Sequence, residues 1–249
     1  YGFDLPPGVP VLAVSRNTLG YWGDRAPRNP LFLLPNALEP QWLEHGDRAR
    51  EGSPKEIDVL VQQRKSSHYV LKRLVPALRA RGLRVEVQDG WIDDLVALFN
   101  GSKVYLYDSA EHWRAAGVSE GFGLPPLEAM ACGCVVFSSF NSALADTLTP
   151  GESAHQIGQG LLSHDVERIA AAVANPRSWK LESSRLYALI ETYGEQALLQ
   201  RWSTTLAELD NFFALTASTS EALLLRSRPT WWLRMRRFIR AFICRLPIS

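Results

Sequence analysis

The chain has 249 residues, 46% of them hydrophobic and 21% charged, with 27 basic side chains against 26 acidic ones and a net charge of +1. Those proportions are globular and exclude an intrinsically disordered chain, a collagen-like repeat and a polytopic membrane protein. Three cysteines are too few for a disulfide scaffold, and Cys132 and Cys134 lack the two-residue gap of a zinc knuckle, so a reducing compartment is expected.

At about 100–200 residues per domain the length allows one large domain, or one domain with a fragment of another. The charge is unevenly spread. From Ala222 onward there are seven arginines and no acid, which leaves 20 bases against 26 acids in the rest. An acidic body with a basic tail speaks of partners, not of fold. The sequence opens on Tyr1 without a basic, apolar leader, and no run of about 20 apolar residues is present to span a bilayer. It reads as part of a longer chain.

Short β-branched runs alternate with helical stretches. Val9–Val14 reads as a strand, Asn17–Trp22 as a short helix and Leu31–Leu34 as a second strand closed by Pro35-Asn36. Residues 37–55 are polar and weakly periodic, end in Gly52-Ser53-Pro54, and read as a linker. A regular series follows: strand Ile57–Val61, helix Tyr69–Arg81, strand Leu83–Val87, helix Ile92–Phe99, strand Val104–Tyr107. After it come helix Pro125–Cys132, strand Val135–Ser138, a helical turn Leu144–Leu148, helix Val166–Ala174, and helical stretches near Arg185–Tyr193 and Gln196–Leu215. Strand and helix alternating in this way predict an α/β fold, a Rossmann-like doubly wound parallel sheet.

The chemically informative stretch runs from Ser119 to Gly133, S-E-G-F-G-L-P-P-L-E-A-M-A-C-G. It is a glycine loop that leads into a helix. Gly121 and Gly123 permit backbone angles closed to other residues and allow a ligand close to the main chain. Pro125 and Pro126 suit a first helical turn, where a missing N–H costs nothing. Free amides and the positive end of the helix dipole then make an anion site, typically for phosphate. Glu120 precedes the loop, and Glu128 is expected in the first turn of the helix. Carboxylates beside a phosphate must face hydroxyls, so Glu128 fits a ribose and Glu120 a sugar. Gly-x-Gly alone is common in loops, and a first-turn Glu is favoured by any helix dipole; the full run is more specific.

That run, from Glu120 through Glu128 to Gly133, resembles the E-x7-E signature of retaining glycosyltransferases of the GT-B fold, family 4 (glycosyl transferases group 1). The similarity continues through Val135–Ser139 to Asp146–Gly151. Upstream, Trp91–Asp108 resembles the helix and strand ahead of the donor site, and Pro35-Asn36-Ala37-Leu38 resembles the hinge between the two lobes. Roughly residues 10–215 are covered. The resemblance implies a nucleotide-sugar donor site, UDP- or GDP-linked, with no further cofactor and usually no metal. Glu120 would contact the transferred sugar and Glu128 the ribose, while main-chain amides of Gly121, Phe122, Gly123 and Leu124 would hold the diphosphate and sugar. Arg64 matches the family arginine that takes charge from the leaving diphosphate. The family lysine has its counterpart at Tyr69, and Lys65 is the candidate substitute; a solvated loop with two surface cations is the other reading of Arg64 and Lys65.

Two departures accompany the match. Ala110–Ser119 is an insertion ahead of Glu120 that bears on the sugar pocket, and within it Trp113 is a candidate for stacking on a sugar. The acceptor lobe is represented only by residues 1–36, and none of His45, His68, His112, His155 or His164 matches the family's catalytic histidine. The expected organisation is therefore an end of the acceptor lobe and hinge (1–36), a linker (37–55), the donor lobe (56–215) and a basic amphipathic tail (216–249). In that tail Trp231, Met235, Phe238, Ile239, Phe242 and Leu246 recur on one helical face among arginines, which predicts contact with an anionic membrane surface over Trp231–Leu246. Packing of this helix on the body is the alternative, and nucleic-acid binding is not expected. Together these features point to a retaining glycosyltransferase on the cytoplasmic face of a membrane, acting on a glycan or lipid-linked acceptor of the cell envelope. A GT-B nucleotide-sugar epimerase and a non-catalytic nucleotide-sugar-binding module are the competing readings.

Overall fold

The computed structural model describes residues 5–46, 52, 54–220, 222–224 and 235. The amphipathic stretch expected over Trp231–Leu246 therefore lies outside the described residues, Met235 excepted.

Two parallel sheets organise the chain. In the first, β1 (Val11–Ala13) pairs with β2 (Leu31–Leu33). They are joined by α1 (Arg16–Arg25), which Ser15 starts by accepting the Thr18 N–H on its side chain. The second has five strands in the order β4-β3-β5-β6-β7, all parallel. These are β3 (Ile57–Gln62), β4 (Val85–Gln88), β5 (Ser102–Tyr107), β6 (Val135–Ser138) and β7 (His155–Gln156). The chain moves outward from β3 to β4, then returns past β3 to build β5, β6 and β7. That reversal puts a topological switch point between β3 and β5, where loops leave the carboxyl ends in opposite directions and open a crevice.

Alternation along the central strands feeds two cores. Val59, Val61, Val104, Leu106, Val135 and Phe137 face one side, against Val70, Leu74 and Leu78 and against Val166, Ile169 and Ala172 of α8 (Leu162–Ala174). Leu60, Tyr105, Tyr107 and Val136 face the other, against Phe99 of α4 (Leu95–Asn100), Leu127 and Met130 of α6 (Leu124–Ala131) and Ile190 of α9 (Ser183–Thr192). Strands buried on both faces explain the continuous apolar runs in the sequence. Each fully buried Leu or Phe contributes about 1.5–3 kcal/mol. Lys55 ties the second face together by donating to the carbonyls of Asn100 (3.0 Å) and Cys132 (2.7 Å), at the C-terminal ends of α4 and α6.

Several elements differ from expectation. The helix foreseen over Tyr69–Arg81 is split: Val70–Leu74 form a π-helical turn that runs into α3 (Val75–Ala80). Pro76 is the cause. It has no N–H for the Lys72 carbonyl, its ring would press on that carbonyl, and the wider turn relieves both, with the Val75 N–H reaching back to Val70. Within the expected linker, α2 (Pro40–Glu44) buries Trp42 edge-on against Phe99, 5.6 Å between ring centres. The inserted segment folds as α5 (Ala110–Ala116), closed by Gly117 in the left-handed conformation. The helical turn after β6 is α7 (Leu144–Thr147), and β7, two residues long, pairs with Phe137 and Ser138. After α9 comes the long helix α10 (Glu195–Ser218). No helix among the described residues is long and apolar enough to cross a membrane.

Candidate active site

A cleft of about 1150 Å³ opens at the carboxyl ends of β3, β4 and β5. Gln62, Gln88 and Tyr107 end those strands and line it. The floor is a fixed polar chain: the buried Tyr105 hydroxyl donates to Gln62 Oε1 at 2.7 Å, Gln62 Nε2 to Gln88 Oε1 at 3.3 Å, and Gln88 Nε2 to the Gly90 carbonyl at 2.5 Å. One wall is the loop after β4, where Trp91 is 88% exposed and donates its indole N–H to Asp93. Pro125 and Glu128 of α6 form another wall, and Arg64 and Lys65 reach in from the loop after β3.

Glu120 is buried, 4% exposed, behind the Tyr107 and Lys65 that line the cleft. Its Oε2 accepts three hydrogen bonds, from Tyr107 Oη (2.7 Å), Trp113 Nε1 (2.7 Å) and Ser109 Oγ (3.1 Å). Its Oε1 lies 3.7 Å from the Lys65 ammonium. Burial, and the Glu120 charge after it, push the Tyr107 phenol far above its ordinary range, so this hydroxyl stays a donor.

Glu128 sits in the second turn of α6, not the first. Gly123 caps the helix with φ +85°, which makes Leu124 the first helical residue and leaves no acid in the first turn. Dipole stabilisation therefore does not explain Glu128. Its carboxyl is instead raised from 4.5 to about 7, chiefly by burial and secondarily by the charge of Glu39 ahead of α2. A carboxylate held at such cost in a cleft is a functional-site signature.

Between the two acids, Phe122 and Leu124 turn their side chains away from the cleft. Phe122 is buried edge-on to Tyr193, 5.5 Å between centres, and Leu124 faces a separate hollow with Leu12, Val14 and Trp202. Gly123, at φ +85°, is the residue that lets the main chain pass between these anchors. At Gly123 the space is also used up: a Cβ there would stand 2.4 Å from Leu144 Cδ2. Arg64 is exposed, and Lys65 takes φ +67°, a left-handed conformation uncommon for lysine. Tyr69, in place of the family lysine, donates its hydroxyl to the buried Asp165 at 2.7 Å and so braces the π-helical turn against α8.

The cleft thus gathers Arg64, Lys65 and Glu128, with Glu120 reached through its neighbours. Trp113, expected as a sugar stacker, instead uses its N–H on Glu120 and its ring face on Lys65, whose ammonium lies 4.5 Å from the ring centre. Sequence reasoning missed Tyr107, Ser109 and Trp113 as partners of Glu120, and Glu39 as a neighbour of Glu128. Tyr105 and Tyr107 did carry a signal: polar-tipped side chains two apart at the carboxyl end of a buried strand share one face. Cys132 and Cys134 are buried and hydrogen-bond to main-chain carbonyls, Cys134 to those of Phe99 and Ser102. Among the described residues no group of three or more His, Cys, Asp or Glu side chains converges as a metal site would.

Comparison with known proteins bears on this arrangement. Residues 72–187 match the glycosyl transferases group 1 family. Over 56 residues, 22% of this chain and 6% of the relative, the sequence is 41% identical to the serotype-specific mannosyltransferase WbdA of Escherichia coli. Among solved structures, Anabaena HepE in complex with UDP and glucose superposes with a TM-score of 0.58 at 14% identity, covering 80% of this chain and 63% of that one. The pneumococcal O-GlcNAc transferase GtfA in complex with UDP and GlcNAc gives 0.57 at 14% identity, covering 80% and 45%. The chain spans less than two thirds of either solved relative and a small part of WbdA. The fold is that of the GT-B glycosyltransferases, and the family matched over residues 72–187 is glycosyl transferases group 1.

Proposed function

We propose that this chain is the donor-binding part of a glycosyltransferase that moves a hexose from a nucleoside diphosphate sugar to a glycan or lipid-linked acceptor, with retention at the anomeric carbon. The observation that carries the reading is the cleft at the β3/β5 switch point, with a carboxylate on one wall and two cations on another. Ribose hydroxyls donate to Glu128, which is then better charged than protonated. Arg64, Lys65 and the amides of the Gly121–Leu124 loop take the diphosphate and the charge that grows on it as the glycosidic bond breaks. Glu120 Oε1 accepts from a hydroxyl of the transferred sugar. Its Oε2 is saturated by three donors, so Glu120 serves as a fixed acceptor and counter-charge, not as a nucleophile. HepE and GtfA, both solved with UDP and a sugar, favour a nucleotide-sugar donor, and the mannosyltransferase WbdA favours a mannosyl-type transfer. The reaction needs no metal in this reading, because side-chain cations and main-chain amides meet the diphosphate. Cell-envelope synthesis at the cytoplasmic face of a membrane is the setting that also uses the basic tail.

The test is calorimetric titration of the chain with UDP, GDP and ADP, with Glu128→Ala alongside. Saturable binding of one nucleotide, lost in the variant, is expected and names the donor class. Binding that survives Glu128→Ala unchanged refutes the assignment of the ribose site.

A further inference from the structure

The inserted helix α5 contacts both ends of the charged pair at the sugar side of the cleft. Its Trp113 gives the indole N–H to Glu120 Oε2 at 2.7 Å and the indole face to the Lys65 ammonium at 4.5 Å. One rigid ring therefore sets the position of an acid and a base that themselves stand 3.7 Å apart, beyond hydrogen-bond length. The same helix holds the Lys65 loop a second time, since Glu111 Oε2 accepts the His68 main-chain N–H at 2.7 Å. Lys65 needs that support because its φ of +67° is strained for a residue with a Cβ. With Tyr107, Ser109 and Trp113 all on Oε2, the carboxylate cannot rotate without losing three bonds, and Oε1 stays the oxygen left to a ligand.

We propose that Trp113 is a positioning residue: through its N–H it fixes Glu120 Oε1 for the transferred sugar, and through its face it fixes Lys65 Nζ for the diphosphate beside it. The ring does this without entering the core. None of the residues of α5 is buried, so the helix is an added clamp on the site and not a support of the sheet. The inference rests on the donor-binding reading above and specifies which residue aligns the sugar contact.

The experiment compares UDP with UDP-glucose, and GDP with GDP-mannose, on the 249-residue chain by calorimetry. Trp113→Phe keeps a ring face for Lys65 and removes the N–H; Trp113→Leu removes both. The quantity read is the ratio of nucleotide-sugar affinity to bare-nucleotide affinity. It is expected to fall about tenfold in Trp113→Phe, the size of one charge-assisted hydrogen bond, with bare-nucleotide affinity kept, whereas Trp113→Leu, which also releases Lys65, is expected to lower bare-nucleotide affinity as well. In a Glu120→Ala background the Trp113→Phe change is expected to disappear, because the two residues act as one unit. In Trp113→Phe, an unchanged ratio, or an equal loss for nucleotide and nucleotide sugar, overturns the proposal. If the unsubstituted chain binds neither UDP nor GDP, the donor-binding reading itself falls and takes this one with it.

Discussion

Glu128 on α6 and Glu39 at the start of α2 repel each other. Burial raises the Glu128 carboxyl first, the charge of Glu39 second, and together they bring it from 4.5 to about 7. A group whose folded value is raised contributes most to stability below its unfolded value and loses that contribution as pH climbs through the folded one. Ionised Glu128 therefore costs the empty protein up to about 3 kcal/mol, reached across the window from 4.5 to 7 and above. Glu128→Gln is expected to raise the thermal midpoint at pH 8 and to change it little at pH 4. Glu39→Gln reproduces a minor share of the gain. Thermal melts of the three proteins at both pH values check this, and equal effects of Glu128→Gln at pH 4 and pH 8 would refute it.

Ligand binding reverses the preference. A carboxylate that accepts two ribose hydroxyls is favoured in its charged form, so in the proposed site a nucleotide sugar is expected to draw the Glu128 proton off as it binds. Affinity for UDP-glucose or GDP-mannose is expected to rise as pH goes from 6 to 8. Proton release should appear as a buffer-dependent heat near pH 6.5. Nucleotide sugars suit this measurement because both phosphates are esterified and do not titrate in that window, whereas the terminal phosphate of UDP does. A pH-independent affinity in the unsubstituted protein would remove Glu128 from the binding site.

The two loop glycines are expected to separate folding from binding. At Gly123 a methyl group meets Leu144 Cδ2 at 2.4 Å, and φ is +85°, so Gly123→Ala is strained on both counts. It should lose about 1–3 kcal/mol of stability in urea unfolding. At Gly121 the nearest atom to such a methyl is Val14 Cγ2 at 4.0 Å, ordinary contact. Gly121→Ala should therefore stay within about 0.5 kcal/mol of the unsubstituted chain. If the main chain there meets the donor, nucleotide-sugar binding falls in Gly121→Ala while its melt does not. A variant that both melts and binds normally would place the donor elsewhere.

The parts of this molecule that were legible in the sequence are those written locally. Strands β3, β5 and β6 are buried on both faces and show as continuous apolar runs, and the loop into α6 carries its glycines, prolines and acids within fifteen residues. What escaped depends on distance or on length. β7 is two residues long, and α2 is five, too short for any period to show. Tyr69 meets Asp165 across 96 positions, and nothing near Tyr69 predicts that its hydroxyl is spoken for. Trp113 is only seven residues from Glu120, yet their contact needs α5 to fold back over the end of β5, which the insertion did not announce as a helix. Glu128 shows the same limit on a smaller scale. Placing it in the second turn instead of the first changes the cause of its behaviour from the helix dipole to burial.

The C-terminal stretch makes a last prediction that is independent of the cleft. Trp231, Met235, Phe238, Ile239, Phe242 and Leu246 fall on one face of a helical wheel, with Arg234, Arg236, Arg237, Arg240 and Arg245 among them and no acid. On an anionic surface each arginine contributes about 1 kcal/mol, which salt screens, and the apolar face adds a part that salt does not. The full chain is expected to co-sediment with vesicles containing phosphatidylglycerol and far less with phosphatidylcholine alone, and to be largely released as salt rises from about 0.1 to 0.5 M. Arg236→Glu with Arg237→Glu should weaken the association by more than tenfold, since each exchange removes an attraction and adds a repulsion. Nucleotide titrations of that double variant are expected to match the unsubstituted chain. Equal binding to neutral and anionic vesicles, or none to either, would assign the tail to another partner and leave the donor site where it stands.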